Sequence, residues 1–192
     1  SNASIALGRA LDLVGIHKIN PLTGTVSSLV KEGLVDTKQS VQLAGTKYDE
    51  AIEAAAGMII SSGYVPSGIA MDPTLSFGLS TMRDADGRKI YPEIGFGQNL
   101  TNFSGMTAAV SDTVSAKNEI TPDTKLLGIV GQFDAFRWGV QRSIGAHLIE
   151  YGDPDGLGDL QRQNQIAIRA EIVYGIGIMD QAAFTKIVKV EG

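Results

Sequence analysis

Apolar and polar positions along this 192-residue chain switch period several times, and the switches mark out elements. Leu7, Ala10, Leu11 and Val14 recur at helical spacing from Ser4 to Gly15, and Asn20-Pro21 closes that segment. Residues 22–45 are rich in Gly, Ser and Thr, with short strands expected at Val26–Val30 and Ser40–Ala44. A second helix is predicted over Tyr48–Ser62, with Thr46 and Asp49 spaced as a capping box and Gly63 as its stop. Its apolar face is Ile52, Ala55, Ala56, Ile59 and Ile60, and Glu50 and Glu53 sit near the start, where the helix dipole favours negative charge. Gly68–Met71 reads as a short buried strand. Asp72-Pro73 then signals a third helix, with Asp as N-cap and Pro where its missing N–H costs nothing. That helix runs to Met82, and the Asp84–Gly87 turn leads into a strand at Arg88–Tyr91.

Between Pro92 and Pro122 the pattern loosens into an irregular excursion with one strand, Thr107–Val110. Lys125–Val130 is the next strand. Phe136, Trp138 and Val140 alternate with polar residues, and the alternation weakens through Ile144–Ile149. The most regular pattern comes last. Over Asn164–Ile178, the residues Ile166, Ile168, Ala170, Ile172, Tyr174, Ile176 and Ile178 share one face, and Arg169 and Glu171 stand on the other. Such a strand would extend roughly 50 Å, against a diameter of about 40 Å for a compact ball of this length, so an elongated molecule is expected. The irregular alternation of elements indicates an α+β fold.

Composition narrows the function. The chain carries 43% hydrophobic and 19% charged residues, ordinary for a globular protein, with 23 glycines for turns. A net charge of −5 offers no basic footprint for duplex binding. With no cysteine there is neither a disulfide framework nor a thiolate site. No apolar run reaches the length that crosses a bilayer.

Candidate chemistry is sparse. His17 and His147 lack metal-ligand spacing and read as structural or surface residues. No G-x-S-x-G elbow or phosphate-binding loop occurs. Ser104 sits in ordinary loop composition, and Gly175 and Gly177 read as a bend or a close backbone approach rather than a phosphate cradle. Asp153, Asp155 and Asp159 crowd a Gly-rich turn that could gather calcium ligands, but they lack the distal Glu of an EF-hand, and a plain turn explains them. Arg169 and Glu171, with Arg142, form either a solvated or cross-strand ion pair or a contact between copies. No cofactor and no metal site is expected.

Three segments then carry a resemblance. Gly68-Ile-Ala-Met-Asp-Pro73 leads through a helix to Arg83-Asp-Ala-Asp-Gly-Arg88; Gly131-Gln-Phe-Asp-Ala-Phe136 enters a strand; and Gln163–Glu171 is followed by an apolar strand and Gln181-Ala-Ala-Phe184. In order and chemistry they resemble the major capsid proteins of tailed bacteriophages, whose fold also serves encapsulin compartments and herpesvirus shells. The resemblance implies a structural subunit, not an enzyme, that assembles in the bacterial cytoplasm into pentamers and hexamers of an icosahedral virion shell around non-specifically held DNA. Scaffold, protease and portal proteins are the other partners it implies, with no membrane.

It further implies a peripheral domain (4–35 and 126–174) and an axial domain (36–125 and 175–192), while Ser1-Asn2-Ala3 by its composition reads as a tag scar. A flexible arm, an extended loop and most of a spine helix would precede Ser4. Some members join subunits by a Lys–Asn isopeptide bond promoted by a Glu, and alignment places those roles at Asn164 and Glu171. An encapsulin-like shell is the nearest alternative, and a small hydrolase or ligand-binding domain using residues 92–122 is the alternative of another class.

Overall fold

The computed structural model describes residues 2–95, 100–121 and 123–190. In order, the elements are α1 (Asn2–His17), β1 (Ser40–Leu43), α2 (Tyr48–Ser61), β2 (Gly68–Met71), α3 (Pro73–Thr81), β3 (Asn102–Phe103), β4 (Met106–Val110), β5 (Leu126–Gly131), β6 (Phe136–Ile149), β7 (Ala167–Ile178) and β8 (Phe184–Lys189). Three short 3-10 turns, Leu34–Asp36, Phe133–Ala135 and Gln181–Ala183, link them. The mixture of helices and strands is the α+β class expected. The described chain divides into two compact units, one of residues 138–177 and one of residues 2–137 with 178–190.

The larger unit is built on a six-stranded mixed sheet in the order β1-β8-β5-β2-β4-β3. β8 runs parallel to β1 and antiparallel to β5; β2 runs antiparallel to β5 and parallel to β4. One face carries Ile69, Met71, Leu127, Val130 and Ile187 against Ile52, Ala55 and Ile59 of α2 and Leu75 and Leu79 of α3. The other carries Leu126, Ile129 and Phe184 against Ile16 of α1, Leu34 and Val114. β5, buried on both faces, needs apolar residues at consecutive positions. Its register slips between Leu126 and Gly128, so Leu127 and Gly128 both face α3.

Local chemistry explains the helix ends. Asp72 caps α3 by accepting the Thr74 N–H at 2.7 Å, with Pro73 in the first turn, as its sequence predicts. Gly63 (φ +86) closes α2: its N–H reaches the Ile60 carbonyl, and the Tyr64 N–H reaches that of Ile59. The start of α2 differs from expectation. Lys47 is the N-cap with no side-chain cap bond, and it bridges to Glu50 at 2.8 Å instead of a Thr46–Asp49 box forming.

Other expectations are corrected. The Val26–Val30 strand reduces to one bridge, Ile19 to Val26, and Arg88–Tyr91 to another, Arg83 to Lys89. The irregular excursion is packed: Ser104 and Gly105, at φ +49 and +79, form the two-residue turn joining β3 to β4, and Thr113, Val114 and Ala116 are buried beyond it. Gly97, in that stretch, lies outside the described residues. α1 extends two residues past Gly15, and β6 continues unbroken to Ile149.

The smaller unit is a two-stranded sheet of β6 and β7. β7 has twelve residues rather than the fifteen expected, because Asn164 takes a left-handed turn (φ +52) and the chain becomes extended only after it. The division between units also falls elsewhere than the expected domain boundaries. Residues 126–131 lie inside the six-stranded sheet, and 4–35 group with it.

Candidate self-assembly surface

Alternation in β6 and β7 should bury one face of each strand, but two strands alone cannot build a second layer to bury it against. Among the described residues of this unit only Leu160 is buried. Ile168 of the expected apolar face is 69% exposed and Ile166 63%, while Ile172, Tyr174 and Ile176 are half-covered. Trp138 on β6 is 57% exposed. Gly139, Gly175 and Gly177 have open space where a Cβ would stand, so no approach by a described residue requires them. Among its described residues the ribbon is therefore a strip of exposed and half-covered apolar side chains interrupted by open backbone at its glycines.

Charge along the strip is local. The Arg169 Nη2 donates to Glu171 Oε2 at 2.5 Å within one strand, which replaces the cross-strand arrangement considered above. Their side chains are 67% and 36% exposed, so the pair is screened by solvent and can exchange partners. Arg142 belongs to β6, and its side chain lies outside the described residues. Asn164 is exposed, in a turn where its N–H reaches the Gln161 carbonyl at 3.3 Å.

The acidic connection between the strands is a turn structure. Asp155 and Asp159 accept the N–H groups of Leu157 and Gln161 at 3.2 and 2.8 Å, and the Gln163 amide donates to the Leu157 carbonyl. Among the described residues no three His, Cys, Asp or Glu side chains gather to hold a metal.

In the larger unit, buried His17 holds its Nε2 3.1 and 2.9 Å from the Thr113 and Val114 carbonyls. Both partners are acceptors, so Nε2 carries the proton. His147 is exposed on β6. An open groove of about 530 Å³ is lined by Lys18, Lys31, Glu32, Asp36, Lys38 and Asp180 among others, but its acids are already engaged. Asp36 pairs with Lys18 at 2.7 Å, Asp180 accepts the Tyr64 hydroxyl at 2.6 Å, and Glu32 accepts the Gln181 amide. The Thr37 hydroxyl there donates to the Phe184 carbonyl at 2.7 Å, so it is not held as an activated nucleophile. Ser104 belongs to its hairpin turn. Among the described residues the hydrolase alternative thus gains no site. No described helix is long and apolar enough to cross a membrane.

Comparison with known proteins assigns the architecture. A structure from Mycobacterium phage Ogopogo superposes with a TM-score of 0.91 at 46% identity, over 97% of this chain and 65% of that one. One from Gordonia phage Cozz does so with a TM-score of 0.85 at 35% identity, over 98% and 61%. The chain thus spans less than two thirds of the length of either. A chain described as the capsid of an empty GTA particle shares the fold at 13% identity and a TM-score of 0.57, over 99% of this chain and 64% of that one. No curated protein matches in sequence. The pattern of the phage capsid family matches residues 3–189, and the chain belongs to that family.

Proposed function

We propose that this chain is the folded body of a structural capsid subunit, which joins copies of itself into pentamers and hexamers of an icosahedral phage shell around DNA. The observation that carries the reading is the uncovered ribbon. A two-stranded sheet is marginal alone, and β6 and β7 expose the apolar side chains a neighbour would cover. In this reading the ribbon is the core of the peripheral domain and the six-stranded sheet that of the axial domain.

Arg142, Arg169 and Glu171 act as registering contacts: an exposed ion pair stabilises its own strand little but sets the orientation of an approaching copy. The net charge of −5 fits a shell that holds DNA without binding it specifically. Scaffold, protease and portal proteins, and assembly in the bacterial cytoplasm, complete the proposal.

Electron microscopy of the full-length protein tests it. Rings or closed particles are expected, and monodisperse monomers across many assembly conditions would overturn it. The same particles test the isopeptide bond at Asn164 with Glu171 that the resemblance implies. Subunits that run only as monomers after boiling in SDS would end that idea.

A further inference from the structure

Helix α1 is held to its unit in two different ways along its length. Its last turn is apolar, with Leu13, Val14 and Ile16 buried in the core and His17 donating to the Thr113 and Val114 carbonyls. Before Leu13 no described residue of the helix is buried, and Ile5 is 64% exposed. Leu7, Ala10 and Leu11 are only half-covered, and charge supplies the long-range polar contacts of this half. The Arg9 guanidinium reaches Asp112 Oδ1 at 2.6 Å with one nitrogen and Glu119 Oε1 with the other, and the Thr113 hydroxyl donates to Asp12 Oδ2 at 3.0 Å. All three partners stand on one turn segment, residues 111–120, which is itself pinned by buried Val114 and Ala116.

We propose that α1 is a two-part lever: Leu13–His17 is a fixed pivot, and Ser4–Asp12 rests on a charge latch of Arg9 with Asp112 and Glu119 that opens while the sheet stays folded. Three features support it. Arg9, Asp112 and Glu119 side chains are 36%, 45% and 24% exposed, so solvent and salt reach the latch. Glu119 Oε2 is buried and accepts no hydrogen bond from a described group, so opening hydrates an oxygen that closure leaves unsatisfied. Gly8 lies midway along the lever with open space beside it, weakening the helix where no packing restores it.

The other charged groups beside α1, Lys18 and Asp36, pair with each other at 2.7 Å beyond the pivot and stay on the fixed side. Lys186, which lines the pocket beside His17, donates to the Val35 carbonyl at 2.9 Å and is likewise fixed. Removing Arg9 leaves Asp12, Asp112 and Glu119 grouped without the cation they share.

Hydrogen exchange read by mass spectrometry on the isolated chain tests the lever, and no particle needs to form. Arg9→Met is expected to speed exchange in residues 5–12 by about fivefold to tenfold while β2, β5 and β8 keep their protection. In the unaltered chain, raising salt from roughly 0.05 M to 1 M should act in the same direction, with a smaller response in Arg9→Met. Unchanged exchange in residues 5–12, or equal acceleration of helix and sheet, would overturn the proposal. Should Arg9→Met fail to fold, the salt series decides: a salt-insensitive α1 in the unaltered chain ends it.

Discussion

Phe184 shows how little room single residues have in the larger unit. Its ring is fully buried, packs edge-on to Phe133 at 5.6 Å, and lies where a Cβ on Gly131 would come within 2.2 Å. The Ala183 carbonyl would also stand 3.1 Å from that Cβ, so backbone as well as ring must shift to admit a methyl group. Gly131→Ala is expected to cost about 1–3 kcal/mol, read as a lower urea midpoint with an unchanged slope. His17 makes a second prediction. Burial pushes its imidazole below the ordinary range, partly offset by the hydrogen bonds to Thr113 and Val114. The fold therefore favours the neutral ring. Its contribution is complete above the unfolded value of roughly 6.5 and is lost as pH falls through the lower folded value. Urea midpoints taken between about pH 7 and pH 5 should fall more steeply in the unaltered chain than in His17→Asn.

At the scale of elements, legibility followed the simplicity of the surroundings. α2 and α3 each face one apolar layer, β2 is a short apolar run ended by Asp72-Pro73, and periodicity with those stop signals locates all three. β8 was hidden because Thr185 and Lys186 interrupt its apolar run. Inside the fold the Thr185 hydroxyl donates to Gln39 Oε1 at 2.8 Å and the Lys186 ammonium to the Val35 carbonyl, so polar residues sit in a core strand at no loss of hydrogen bonding. The candidate surface was legible as a pattern, since alternation in β7 marked a strand with one apolar face. What alternation could not tell is that Ile166 and Ile168 of that face stay exposed, because a sheet of two strands brings no second layer of its own to bury them. The proposed role of that face leads to a prediction: Ile168→Glu should change urea stability by less than about 0.5 kcal/mol, because the side chain is already exposed, yet abolish particles in electron micrographs of the full-length protein.

Taken whole, the chain leaves one body and returns to it at a single point. The Met179 N–H reaches the Ala135 carbonyl at 2.9 Å, so residues 138–177 begin and end beside the same hydrogen bond. Both apolar clusters lie outside that excursion. Replacing 138–177 with a short Gly-Ser turn should therefore leave cooperative urea unfolding intact, and loss of the cooperative transition would show that the larger unit depends on the smaller.

The place of β8 has a consequence for synthesis. The last strand in the order is not at a sheet margin but between β1 and β5, which have no bond to each other without it. A ribosome-bound chain that has not yet released Phe184–Lys189 holds two open strand edges and a core without Phe184 and Ile187. Closure must wait for those residues, so translation that halts early yields chains that cannot close the sheet. The order of the strands thus makes closure of the six-stranded sheet conditional on the synthesis of residues 184–189, whatever has folded before them.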